Sequence, residues 1–215
     1  DGDTALPTEE EWSKCADMLV LDAEGKSRPF KSLYAGEGVA HRQMIIFVRH
    51  FFCGNCQEYV RTLCASITPA DLLRLPTPTF LTIVGCGAPS LISMYASATS
   101  CPFPIYTDPR AQLYSVLRMG RTLDLGPRKP DYVQTSMAGV VVSSLVQSLR
   151  MGRDALKGGD IKQVGGEVFV EGGRPTWIWR MRNTRDHAEV PVLRRVLGFA
   201  DEDAPLKKRW SENVR

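Results

Sequence analysis

The chain has 215 residues, 43% of them hydrophobic and 24% charged, the size and composition of one ordinary globular domain. Disorder, collagen and coiled coil are excluded, and the apolar runs Met44 to Val48 and Met137 to Val142 fall far short of the roughly 20 residues of a bilayer span. The net charge of +3 is scattered apart from Arg194-Arg195 and Lys207-Lys208-Arg209, so neither nucleic acid nor membrane is an expected partner.

In chain order, Asp1 to Pro7 has no basic region, apolar stretch or initiating Met, which reads as a trimmed or processed chain without a targeting address. The end, Asn213-Val214-Arg215, is not a peroxisomal or ER-retention signal. Thr8 followed by Glu9, Glu10 and Glu11 reads as an N-capped helix with acids in its first turn. Met18 to Leu21 is a short strand ending in the turn Asp22 to Gly25, and Phe30, Leu33 and Tyr34 make a helical turn. Gln43 to Arg49, with the run Met-Ile-Ile-Phe-Val, has the pattern of a central strand buried on both faces. From Gly54 to about Ile67, Cys56, Tyr59, Val60, Leu63 and Cys64 recur at helical spacing.

Pro69 to Leu75 is another short helix, Phe80 to Val84 a second buried strand, Leu91 to Ala98 its following helix. Pro104 to Tyr106 is a third strand and Ala111 to Leu117 the helix after it. Gly126 to Pro130 reads as an exposed loop and Thr135 to Leu149 as a longer helix. Glu167 to Val170 and Trp177 to Arg180 form a hairpin around Glu171-Gly172-Gly173-Arg174, and Pro191 to Leu197 is a last helix before a polar tail. Strands alternating with helices, then a hairpin and a helix, specify one α/β domain with a mixed sheet.

The six cysteines are far sparser than the roughly 8–10% of a small disulfide scaffold. A reducing, cytoplasmic setting is the expectation, with thiols kept free unless chemistry or a metal needs them. Only Cys53-Gly54-Asn55-Cys56 is spaced for either. It falls where a buried strand meets a helix, whose unpaired first N–H groups and dipole favour a thiolate. One sulfur can then attack a substrate and the other resolve the mixed disulfide. Gly54 and Asn55 keep the turn small and uncharged, and Arg49 and His50 add positive charge.

Structural zinc needs four ligands, and no second knuckle is present, so no metal is expected. Asp186-His187 offers a Cys-His-Asp partner set, but reads better as a solvated turn before the last helix. Cys15 and Cys64 read as small hydrophobes in the core. Cys86, flanked by glycines at a strand end, and Cys101, before Pro102, lie in loops from which a thiol could reach the pair as an accessory. Phosphate-loop, dinucleotide, serine-hydrolase and zincin motifs are not found.

Five blocks resemble a known family: Phe47 to Phe51 leading into Cys53 to Cys56; Val84 to Gly87; Phe103 to Pro109; Gly158-Gly159-Asp160 through Gln163 and Gly165-Gly166; and Arg180 to Glu189. Together they are similar to the peroxiredoxin-like proteins of the AhpC/TSA antioxidant superfamily. The resemblance implies a thioredoxin-like α/β fold, a central mixed β-sheet flanked by helices, over residues 16–199, with residues 1–15 a helical extension and 200–215 a polar tail. It implies a thiol-dependent oxidoreductase that reduces a peroxide or disulfide through Cys53 and Cys56. No bound cofactor is implied; an external thiol, from a thioredoxin or glutathione system, restores the dithiol.

On the peroxiredoxin frame P-x-x-x-T-x-x-C, Cys56 takes the peroxidatic position, Cys53 stands for the threonine and Arg49 for the proline. On the thioredoxin frame, Cys53 is the exposed attacking thiol and Cys56 the resolver, with Phe52 in place of the usual tryptophan and Gln163-Val164-Gly165-Gly166 where the cis-proline loop belongs. We take Cys53 as the attacker. Two alternatives stay open: a metabolite-tailoring enzyme of secondary metabolism with an apolar pocket beside Cys53, drawing on Trp177 and Trp179, and a non-catalytic redox-sensing module.

Overall fold

The computed structural model describes residues 4–133 and 158–200. The expected helix Thr135 to Leu149 and nearly all of the polar tail, including Lys207 to Arg209, lie outside these.

A seven-stranded mixed sheet runs in the order β2-β1-β5-β4-β3-β6-β7. Its strands are β1 (Leu19–Leu21), β2 (Ser27–Pro29), β3 (Arg42–Phe47), β4 (Thr79–Gly85), β5 (Ile105–Thr107), β6 (Gly166–Glu171) and β7 (Arg174–Arg180). β3, β4 and β5 are parallel neighbours. Antiparallel β6 joins the other side of β3, so β3 is paired on both edges as its unbroken apolar run requires. Alternate residues of that run face opposite ways: Met44, Ile46 and Val48 enter one core cluster, Ile45 and Phe47 the other.

On the first face lie α2 (Gly54–Ser66), α3 (Pro69–Arg74), α4 (Ile92–Thr99) and α6 (Val190–Leu197). On the second lie α1 (Glu9–Ala16) and α5 (Gln112–Val116). α1 forms the expected capping box between Thr8 and Glu11 and buries Trp12 and Cys15. Trp12 also donates from Nε1 to the Gly173 carbonyl at 2.9 Å, so this helix is built into the second layer of the domain. The β6–β7 hairpin turns through Gly172 and Gly173, both at positive φ, the backbone that a two-residue turn matching strand twist demands.

The sequence reading differs from the fold at a few boundaries. β2 was not expected, because Ser-Arg-Pro carries no alternation; it survives as an exposed two-sided edge paired only to β1. β3 ends at Phe47, so Arg49 and His50 stand in the turn beyond the strand. The helix expected from Leu91 begins with a 3₁₀ turn, Pro89–Leu91, before α4. No helix among the described residues is long and apolar enough to cross a membrane.

Candidate active site

α2 starts where it does because Cys53 caps it. The Cys53 backbone is extended, and its sulfur accepts from the Cys56 N–H at 3.4 Å, taking the place a serine or aspartate oxygen usually fills. Behind the cap, Cys56, Tyr59, Val60 and Leu63 bury the inner face of the helix; each large apolar side chain so buried contributes about 1.5–3 kcal/mol. At the far end Ile67 turns extended, and Thr68 opens α3 with its own capping box.

The second partner of the Cys53 sulfur is Arg49, whose Nη1 donates to it at 3.2 Å. Arg49 is only 5% exposed, and its remaining fork is held by the Gln163 carbonyl at 3.1 Å and by the Ile161 carbonyl. The loop carrying these carbonyls is fixed in turn. The Gln163 side chain donates to the carbonyls of Met119, Gly120 and Val164. Gly159, at φ +105, lies so close under Cys86 that a Cβ there would stand 2.7 Å from the Cys86 carbonyl oxygen. From the other side, the Tyr114 hydroxyl bridges the carbonyls of Val48 and Val84 at 2.7 and 2.9 Å, tying the ends of β3 and β4 below the site.

These contacts separate the two thiols. The Cys56 hydrogen bond, then the charge of Arg49, hold Cys53 well below the usual thiol range against the burial that opposes ionisation. Burial, and the bond it gives to Cys53, push Cys56 well up. Arg49 itself stays charged: burial works against it, but the negative charge of the Cys53 thiolate and the hydrogen bond to it outweigh burial and raise its pKa. His50 departs from expectation, because burial lowers its pKa below 6.5; at neutral pH the imidazole is neutral and Arg49 supplies the local charge. Cys53 departs too. It is 4% exposed and Cys56 0%, so Cys53 is not the exposed thiol of the thioredoxin frame. Gly54 and Asn55 occupy the first helical turn as expected, Asn55 buried.

The accessory cysteines fall elsewhere. Cys86 is buried, pushed up to about 12 by desolvation, with Sγ 3.7 Å from the Arg49 carbonyl oxygen; it underlies the site. Cys101 lies beside Cys64, and both are half-buried against the core cluster of the first face. Cys15 is core, as expected.

His187 is the largest correction. It is not in a solvated turn: Nδ1 lies 2.6 Å from Glu167 Oε1, both side chains are buried, and the ring stacks on Tyr59 at 4.1 Å. Asp186 instead holds Arg182, so no Cys-His-Asp set forms. The Tyr132 hydroxyl completes the cluster, accepting from the His187 N–H at 3.2 Å. Glu167 was missed, although a glutamate beside Val168, Phe169 and Val170 in an apolar strand signals a buried partner. Trp177 and Trp179 pack on the core from β7. A cavity of about 260 Å³ lies between Arg118, Arg121, Val164 and Arg180, and neither Cys53 nor Cys56 lines it. Among the described residues no three His, Cys, Asp or Glu side chains gather as a metal site.

A profile described as AhpC/TSA antioxidant enzyme matches residues 69–183, just over half the chain. The chain belongs to this family. The matched stretch begins after Cys56, so it places the domain and not the cysteine pair. Peroxiredoxin-like 2C from Homo sapiens is 27% identical over 184 residues, covering 85% of this chain and 78% of the relative. The protein of that name from Takifugu rubripes is 28% identical over 193 residues, covering 85% and 79%. Among solved structures, a Xanthomonas campestris bacterioferritin comigratory protein with alkyl peroxide reduction activity superposes with a TM-score of 0.54 at 10% identity, covering 92% of this chain and 95% of that one. A reduced peroxiredoxin from Vibrio vulnificus in complex with hydrogen peroxide gives 0.55 at 12% identity, covering 84% and 94%. The fold is therefore the thioredoxin-like fold of the peroxiredoxins, and the protein is a peroxiredoxin-like member of the AhpC/TSA family.

Proposed function

We propose that this member is a thiol-dependent peroxidase in which Cys53 attacks and Cys56 resolves. The observation that carries the reading is the Arg49 guanidinium 3.2 Å from the Cys53 sulfur, a charge-assisted contact that favours the thiolate. The thiolate attacks the terminal peroxide oxygen; the O–O bond breaks, an alcohol or water leaves with a proton, and Cys53 becomes a sulfenic acid. Cys56 then attacks that sulfur, giving a Cys53–Cys56 disulfide and water. Two external thiols, of the thioredoxin or glutathione type, reduce the disulfide and close the cycle. A small hydroperoxide fits a sulfur that is 4% exposed better than a docked protein disulfide does. Six free thiols fit a reducing compartment such as the cytoplasm.

The test is steady-state turnover on hydrogen peroxide, an organic hydroperoxide and an insulin-type disulfide, with wild type, Cys53→Ser and Cys56→Ser. Peroxide turnover should vanish in Cys53→Ser, while Cys56→Ser should accumulate a sulfenic acid or mixed disulfide at Cys53. Turnover that survives in Cys53→Ser and vanishes only in Cys56→Ser reverses the roles. Insulin reduction without peroxide turnover overturns the peroxidase reading.

A further inference from the structure

Two thiols take no part in the site just described and lie beside each other. Cys64 lies in the last turns of α2 and Cys101 just beyond the end of α4; both are half-buried against the same core cluster, near enough for each thiol to shift the other's ionisation. The two helices are held together at this point. Arg61, one turn before Cys64 on the same helix face, donates from Nε to the Ala98 carbonyl at 2.8 Å. Cys101 is set in place by Ser100, a non-glycine residue in the left-handed region at φ 52, and by its own N–H on the Ala96 carbonyl at 3.1 Å. Ser100 is the left-handed cap at which the chain turns out of α4.

We propose that Cys64 and Cys101 form a second redox-active dithiol, oxidised to a disulfide by small disulfides of the glutathione class. Cys101 is the entry point: the neighbouring Cys64 thiol lowers its pKa, and the backbone at Phe103 adds to this against burial. Its thiolate attacks one sulfur of the small disulfide; a Cys101 mixed disulfide forms, the original S–S bond breaks, and the departing thiolate takes up the proton that Cys101 had released. The Cys64 sulfur then attacks the Cys101 sulfur, its proton passing to the second departing thiolate. Two protein thiols are oxidised and one small disulfide is reduced to two thiols. Cys64 keeps its proton until the first step because the neighbouring Cys101 thiol, then burial, push its pKa up; capping Cys101 removes the first of these.

This dithiol is separate from the Cys53–Cys56 pair, since Cys64 stands about 12 Å further along the helix than Cys56, too far for direct exchange. It does not depend on the peroxidase reading. Its product is a staple between the helix that carries the candidate active site and the chain after α4.

The full-length Cys53→Ser/Cys56→Ser variant, equilibrated with glutathione disulfide and mapped by mass spectrometry without reduction, tests this. The expected product is a Cys64–Cys101 linked peptide, with a melting temperature raised by roughly 5–10 °C. Adding Cys64→Ser should leave a stable glutathionyl group on Cys101; adding Cys101→Ser should leave Cys64 unmodified. The same mapping on wild type resolves the two disulfides separately and serves if the double variant does not fold. Absence of the linked peptide in wild type, or an adduct on Cys64 in preference to Cys101, overturns the proposal.

Discussion

Replacing Arg49 with Met tests the electrostatics of the site most directly. The substitution removes the Nη1 contact at 3.2 Å and leaves the Cys53 sulfur with the Cys56 thiol and N–H as donors. A hydrogen bond to a charged group contributes about 1.5–3 kcal/mol, and one pKa unit corresponds to about 1.4 kcal/mol. The Cys53 pKa should therefore rise by about 1–2 units. The thiolate is the form that alkylating agents attack, so labelling follows its fraction: loss of the Arg49 charge moves the Cys53 midpoint up, and around and below the new midpoint labelling should be slower than in wild type. The assay is the pH profile of iodoacetamide labelling at Cys53, read by peptide mass. Arg49→Lys keeps a charge but not the fork that also holds Gln163 and Ile161, so its profile should lie between the two. A midpoint unchanged within a few tenths in Arg49→Met would refute the assignment of thiolate stabilisation to this residue.

Three further outcomes follow from the same contacts. Glu167→Leu leaves the His187 ring and the Ala188 N–H without their acceptor; at about 1–3 kcal/mol for each buried orphan, urea denaturation should show a loss of roughly 2–5 kcal/mol, with the Cys53 labelling profile unmoved. Tyr114→Phe strips the bridge between the ends of β3 and β4 and should lower stability by about 1–3 kcal/mol in the same measurement. Gly159→Ala combines a left-handed backbone with a Cβ pressed on Cys86; it should displace the loop holding Arg49, detected as both a lower melting temperature and an upward shift of the Cys53 midpoint. A melting loss without the shift would uncouple that loop from the thiol.

The sequence carried the layered fold because its signals were local. The unbroken run Met44 to Val48 could only be a doubly buried strand, and Cys56, Tyr59, Val60 and Leu63 repeat at the period of α2. The cysteine pair was legible as well, since its position at a strand-to-helix turn is a matter of neighbouring residues. What surrounds the pair was not. Arg49 reaches carbonyls more than a hundred positions along the chain, Glu167 and His187 meet across the core, and Cys64 finds Cys101 through the packing of α2 on α4. Periodicity reports how deeply a residue is buried and says nothing of which distant residue it will meet. For the same reason Cys53 reads as an exposed thiol from sequence: nothing local shows that the fold leaves it 4% exposed, with Arg49 on its sulfur.

The sulfur at position 53 is at once the proposed nucleophile and the cap of a helix. Any covalent bond formed there, to oxygen or to another sulfur, withdraws the electron density that the Cys56 N–H and the Arg49 guanidinium point towards. Chemistry at this atom therefore falls on the cap of α2 itself, and the next group along that first turn is Cys56, three positions on and fully buried.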